Sequence, residues 1–157
     1  GRIPDPKIAE KRVTAIGFEG TDGLKQVLVM RKDGSNDGKN ELPTGVQAVF
    51  YSQSDEKKMI EDAFKVISQY PFVITYNGDD FDMPYLYNRA ERLGIKNSEN
   101  PLYMMRDSAT LKHGVHLDLY RTLSNNRSDL RIPQANRVLG SSDCNTLSYT
   151  VCHHKKF

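Results

Sequence analysis

The chain has 157 residues, a formal net charge of +2 at pH 7, 38% hydrophobic and 27% charged residues, proportions that suit one globular domain with a sizeable core. No run approaches the roughly 18 apolar residues of a membrane span, and the opening GRIPDPKIAEKR lacks the apolar stretch of a secretory signal. The charge is too small to announce a nucleic-acid partner, and it does not exclude one. Both cysteines, Cys144 and Cys152, lie near the end, so no disulfide framework holds the main body and a reducing cytoplasm is the expected compartment.

Along the chain, VTAIGFEGTDGLKQVLVM (13–30) reads as two strands joined by a turn at Asp22-Gly23. The polar stretch RKDGSNDGKNELPTG (31–45) reads as an exposed loop and QAVFYS (47–52) as a short strand. SDEKKMIEDAFKVISQYP (54–71) is the clearest helix: Ser54 is placed to cap it, and Asp55 and Glu56 suit its first turn. Met59, Ile60, Ala63, Phe64, Ile67 and Tyr70 form its apolar stripe, and Pro71 ends it. FVITY (72–76) is a continuous apolar run expected of a strand covered on both faces. MPYLYNRAERLG (83–94) predicts a second helix with Pro84 at its start and Gly94 at its stop. GVHLDLYRTL (114–123) reads as a strand running into a helix, and the whole as a layered α/β domain over 1–124.

From Asn125 onward the sequence carries no helical or strand periodicity beyond a few residues, and 125–157 is expected to be a divergent or poorly ordered tail. A frameshift or an abrupt fragment end would account for it. Cys144, Cys152, His153 and His154 fit structural-zinc spacings poorly.

The chemistry concentrates in TYNGDDFDMPY (75–85), with Asp79, Asp80 and Asp82 directly after the apolar strand. Local grammar makes Asn77-Gly78 a turn pair and Asp82 a helix cap. Location gives a second reading, because sites in open α/β sheets gather at the carboxyl ends of strands, where carboxylates suit hard divalent cations. Two ions about 4 Å apart, as in phosphodiester cleavage, need carboxylates from several strands, so this cluster alone does not suffice.

NGDDFD (77–82), followed by MPYLYNRAERLG, resembles the second exonuclease motif, Asn-x-x-x-Phe-Asp, of family-B DNA polymerases. Residues 1–30 resemble the segment after the first exonuclease motif in archaeal members, and HLDLYRTL (116–123) the stretch beyond the second motif's helix, so the resemblance covers roughly 1–123 in family order. It implies a ribonuclease H-like α/β fold, a mixed sheet flanked by helices, and a 3′–5′ proofreading exonuclease that acts on a single-stranded DNA 3′ end with two Mg²⁺ or Mn²⁺ ions. By the same resemblance Asp82 is the catalytic metal ligand, Asn77 contacts the frayed strand and Phe81 packs near the terminal nucleotide. Core packing is an equally good account of Phe81. Asp79 and Asp80 match variable positions and read as turn residues, and His116 as a structural residue on a strand.

The first motif, Asp-x-Glu, is expected upstream of Gly1, and nothing after HLDLYRTL matches the third, Tyr-x-x-x-Asp. Only one of the family's four metal-holding carboxylates is carried over, which implies a fragment of the polymerase that is inactive as an isolated chain. A non-catalytic ribonuclease H-like module that binds single-stranded nucleic acid is the alternative. The expected partners are the single-stranded DNA 3′ end and the rest of the polymerase chain, with no membrane. A missing first strand predicts an unpaired sheet edge and self-association through it.

Overall fold

The alternation of residues 13–30 produces a tight antiparallel hairpin in the computed structural model, which describes residues 3–31, 43–106, 108–124 and 146–153. Strands β1 (Val13–Gly20) and β2 (Lys25–Met30) pair from Ala15↔Val29 to Glu19↔Lys25. Gly23 turns the chain at φ 94°, in the left-handed region that a side chain disfavours. The Asp22 carboxylate fixes this turn by accepting from the Leu24 N–H at 3.2 Å and from the Tyr70 hydroxyl at 2.9 Å. β3 (Gln47–Tyr51) then pairs parallel to β2. Most of the polar loop, 32–42, lies outside the described residues.

Helix α1 (Glu56–Ser68) buries Met59, Ile60, Ala63, Phe64 and Ile67, the expected stripe. Its start differs from the expectation. Residues Gln53–Asp55 form a short 3₁₀ turn, Asp55 occupies the cap position without a side-chain bond, and the Ser54 hydroxyl instead meets that of Ser52 at 2.7 Å. A 3₁₀ entry moves the cap beyond Ser54 and leaves its side chain no helical N–H to accept from. Tyr70 lies past the helix end yet stays buried, with its hydroxyl on Asp22.

β4 (Phe72–Thr75) leads into α2 (Asp82–Arg92). β4 is covered on one face only: Val73 and Thr75 are buried, whereas Phe72 is 39% exposed. The helix stops at Gly94, φ 67°, with the N–H of Ile95 bonded to the Ala90 carbonyl. A small hairpin that the sequence did not announce, β5 (Leu102–Met104) with β6 (Ala109–Leu111), precedes β7 (Val115–Asp118) and the short α3 (Leu119–Ser124).

One buried ion pair ties these layers together. Arg89 of α2 donates to both oxygens of Glu56 of α1 at 2.8 and 2.7 Å, and to the carbonyls of Ala9 and Glu10. Glu56 also accepts the N–H of Val13 at 2.9 Å, which registers β1 against both helices. The Tyr85 hydroxyl closes the same junction by donating to the Lys11 carbonyl and accepting its N–H.

The large sheet runs β3-β2-β1-β8-β4-β7, with β8 (Thr146–His153) inside it. β8 is antiparallel to β1 from Val13↔His153 to Gly20↔Leu147 and parallel to β4 from Phe72↔Thr146 to Ile74↔Ser148. One expectation changes as a result. Part of a tail without strand periodicity forms a strand, and β3 and β7 are the outer strands of the described sheet. Backbone hydrogen bonding on both sides holds β8 where its side-chain pattern gave no signal. The fold is a mixed α/β architecture. The zinc-like grouping of the tail cannot be assembled from the described residues, since Cys144 and His154 fall outside them.

Candidate functional site

β4 and β7 run parallel and in register, Thr75 beside Asp118, so the turn that follows β4 rises directly above the end of β7. Tyr76 leaves the sheet 65% exposed, and Asn77 follows in the left-handed region at φ 61°. Asn tolerates this conformation better than most residues. Gly78 is required for a different reason, since a Cβ there would collide with the side chain of Thr75. The Gly78 carbonyl accepts the N–H of Met83 at 2.9 Å, closing the turn at 78–81 onto the start of α2.

Asp118 holds this turn. Its Oδ1 accepts the N–H of Asn77 at 2.8 Å and of Tyr120 at 2.9 Å, and its Oδ2 accepts the N–H of Asp79 at 3.0 Å. Burial alone would raise its pKa, but the backbone N–H groups of Asp79, Asn77, Tyr120 and Arg121 outweigh burial and hold it below the ordinary carboxylate value.

Beside it, the buried His116 stands between the Thr75 hydroxyl, 2.8 Å from Nε2, and the Asp79 carboxylate, 2.9 Å from Nδ1. This pattern assigns the ring proton to Nδ1, donating to Asp79, with Nε2 accepting from Thr75. Burial lowers the His116 pKa, against the opposing pull of Asp79 and Asp118. Arg121 spans both turn carboxylates, with Nε 3.3 Å from Asp79 and Nη2 2.6 Å from Asp80. Asp79 and Asp80 therefore lie in the turn, as expected, and they also anchor it. His116 lies on β7, as expected, with both ring nitrogens engaged.

The residues singled out by resemblance share this turn. Asn77 opens it, and Phe81 and Asp82 close it. Phe81 is half-buried against the core and stacks on Tyr85, ring centroids 5.7 Å apart at 25°. Asp82 is buried at 9% exposure. It does not occupy the cap position expected of it: Phe81 does, without a side-chain cap bond, and Asp82 is the first helical residue, where its carboxylate still faces the positive end of the helix. The helix begins one residue early because the Gly78 carbonyl already receives the N–H of Met83.

The donor set does not fit a two-ion centre. Among the described residues no three His, Cys, Asp or Glu side chains gather in a group that could hold a metal ion. Asp118 is engaged by backbone N–H groups, and Asp79 and Asp80 by His116 and Arg121. What the turn brings together instead is a partly exposed amide at Asn77, a ring at Phe81 packed against the core and a buried carboxylate at Asp82. Asp118, whose role was not foreseen, carried one signal: an aspartate ending a strand at a site-bearing sheet edge.

The described helices include none long and apolar enough to cross a membrane. The family described as "DNA polymerase family B, exonuclease domain" matches residues 1–131. The chain is similar to "DNA polymerase 1" of Sulfolobus acidocaldarius, 38% identical over 125 residues, covering 80% of this chain and 14% of that protein. The same-named protein of Saccharolobus solfataricus is 39% identical over 126 residues, again 80% and 14%. That of Aeropyrum pernix is 32% identical over 120 residues, 76% of this chain and 12% of the relative. The chain thus spans about one seventh of the length of these relatives. On the extent of these matches, the chain belongs to the exonuclease-domain family of the family-B DNA polymerases.

Proposed function

We propose that the chain is part of the 3′–5′ proofreading exonuclease domain of an archaeal replicative polymerase, with a ribonuclease H-like fold over residues 1–124. It engages the frayed 3′ end of single-stranded DNA and does not hydrolyse it as an isolated chain. The remainder of the polymerase is its natural partner, in the cytoplasm. The observation that supports the reading is the turn at the ends of β4 and β7, the segment that contains Asn77, Phe81 and Asp82 and whose Asn77 N–H is held by Asp118.

Each residue has a task its chemistry allows. The Asn77 amide hydrogen-bonds phosphate or a base edge. Phe81, partly buried and stacked on Tyr85, offers its remaining exposed ring surface to the terminal unpaired base. Asp82 is the metal ligand of the family motif. In the family, Mg²⁺ or Mn²⁺ would supply Lewis-acid stabilisation of the reacting phosphodiester. With the neighbouring carboxylates engaged elsewhere, a single Asp82 places no second ion. Strand binding without cleavage follows, and the engaged state of Asp79, Asp80 and Asp118 is what favours it.

Fluorescence anisotropy with a 5′-labelled oligothymidylate, alone and annealed into a blunt duplex, tests the binding. The single strand is expected to bind at least about tenfold more tightly, the equivalent of one stacked base, and Phe81→Ala is expected to abolish the difference. Equal affinity for both forms contradicts the reading.

A further inference from the structure

We propose that Asp118 is a positioning residue for strand binding: it acts through the backbone of Asn77 and Asp79 to aim the Asn77 amide. The proposal rests on the reading of Asn77 as a strand contact. The Asp118 carboxylate takes the N–H groups of Asn77 and Asp79 at 2.8 and 3.0 Å from below, while the N–H of Tyr120 fixes it to α3 at 2.9 Å.

The backbone makes this bond decisive. Asn77 sits at φ 61°, a conformation with no regular ladder to stabilise it. The direction of its side chain therefore depends on the anchor. The second anchor acts on the next part of the turn: His116, braced by the Thr75 hydroxyl, holds the Asp79 carboxylate, and Arg121 ties Asp79 to Asp80. The β7 end thus supplies a cradle of acceptors and donors matched to one turn geometry. Gly78, with no room for a Cβ, keeps the turn pressed against Thr75.

Asp118→Asn is the sharpest variant. An amide offers one acceptor oxygen where the carboxylate uses two, so at least one turn N–H faces an N–H instead. The experiment measures oligothymidylate affinity by anisotropy on the full chain for wild type, Asp118→Asn, Asn77→Gly and the double variant. Glycine at 77 keeps the left-handed backbone and removes only the amide side chain. The amide spectrum of each variant is recorded at the same temperature to establish that it is folded.

Asp118→Asn is expected to weaken binding about tenfold, as the loss of one hydrogen bond to a charged group would. Asn77→Gly is expected to weaken it by a similar factor, and the double variant to bind no worse than Asn77→Gly alone. That non-additivity marks positioning, because a general loss of structure would multiply the two effects. Should Asp118→Asn not fold, His116→Phe takes its place. It keeps the ring volume, releases Asp79, and is expected to cost about threefold through the same Asn77-dependent route.

Binding by the substituted β7 variant within about twofold of wild type, or losses that multiply in the double variant, overturns the role of Asp118 while leaving that of Asn77 standing. A wild-type chain that does not bind, or an Asn77→Gly variant that binds equally well, overturns the reading of Asn77 itself and the positioning role with it.

Discussion

Glu56 and Arg89 illustrate what single residues contribute here. In α1, Glu56 falls in phase with Met59, Ile60, Ala63 and Ile67; in α2, Arg89 falls in phase with Leu86, Ala90 and Asp82. Two opposite charges, each on the apolar stripe of its own helix, are a signal that was present in the sequence and points to mutual burial. The N-terminal role assigned to Glu56 used only its favourable interaction with the helix dipole. Removing its carboxylate leaves a buried guanidinium without its counter-charge, so Glu56→Ala is expected to cost about 3–5 kcal/mol in urea unfolding. A loss below about 1 kcal/mol, typical of exposed pairs, contradicts the burial. The pH response belongs at this scale too. His116 is held neutral when folded, so its contribution is complete above the unfolded value, near 6.5, and is lost as pH falls through the lower folded value. Asp118, with its pKa depressed, contributes above its ordinary value of 3.8 and loses that contribution on further acidification. The urea midpoint is expected to fall steadily from pH 7 toward pH 4, and His116→Phe to flatten the first part of that fall. A midpoint that rises on acidification contradicts the assigned proton.

Among the elements, the helices were the most legible. The 3.6-residue spacing of α1 named its buried face, and Phe64→Ala, at 1% exposure, is expected to destabilise the chain by about 3–5 kcal/mol in the same urea assay. Strand β4 was legible as a strand but not in its environment. An uninterrupted apolar run suits coverage on both faces, whereas Phe72 beside Val115 and Ile74 beside Leu117 form a sheet surface on which Phe72, Val115 and Leu117 are 39%, 52% and 41% exposed. β8 was not legible, because its place depends on backbone partners far away in sequence rather than on its own pattern. Deleting residues 146–157 is expected to deprive β1 of its second neighbour and speed amide exchange from Ala15 to Glu19 by about tenfold or more. Unchanged protection there would show that β8 does not hold the centre of the sheet.

At the scale of the whole molecule, the candidate site was legible in one half. The turn after β4 could be located from an apolar strand, a turn pair and a helix start, and the motif named Asn77, Phe81 and Asp82. Its support could not, since Asp118, His116 and Arg121 come from a segment some forty positions away and meet the turn only when β7 pairs with β4. That support also engages the carboxylates around the turn: Asp79, Asp80 and Asp118 already bond the protein itself. The central claim is that the chain binds a strand and does not cleave it. The most direct test incubates the purified chain with single-stranded DNA labelled at its 5′ end, in the presence of Mg²⁺ or Mn²⁺, and follows strand length on a denaturing gel. The account predicts that the strand keeps its full length. Stepwise shortening from the 3′ end that disappears in Asp82→Ala would contradict it.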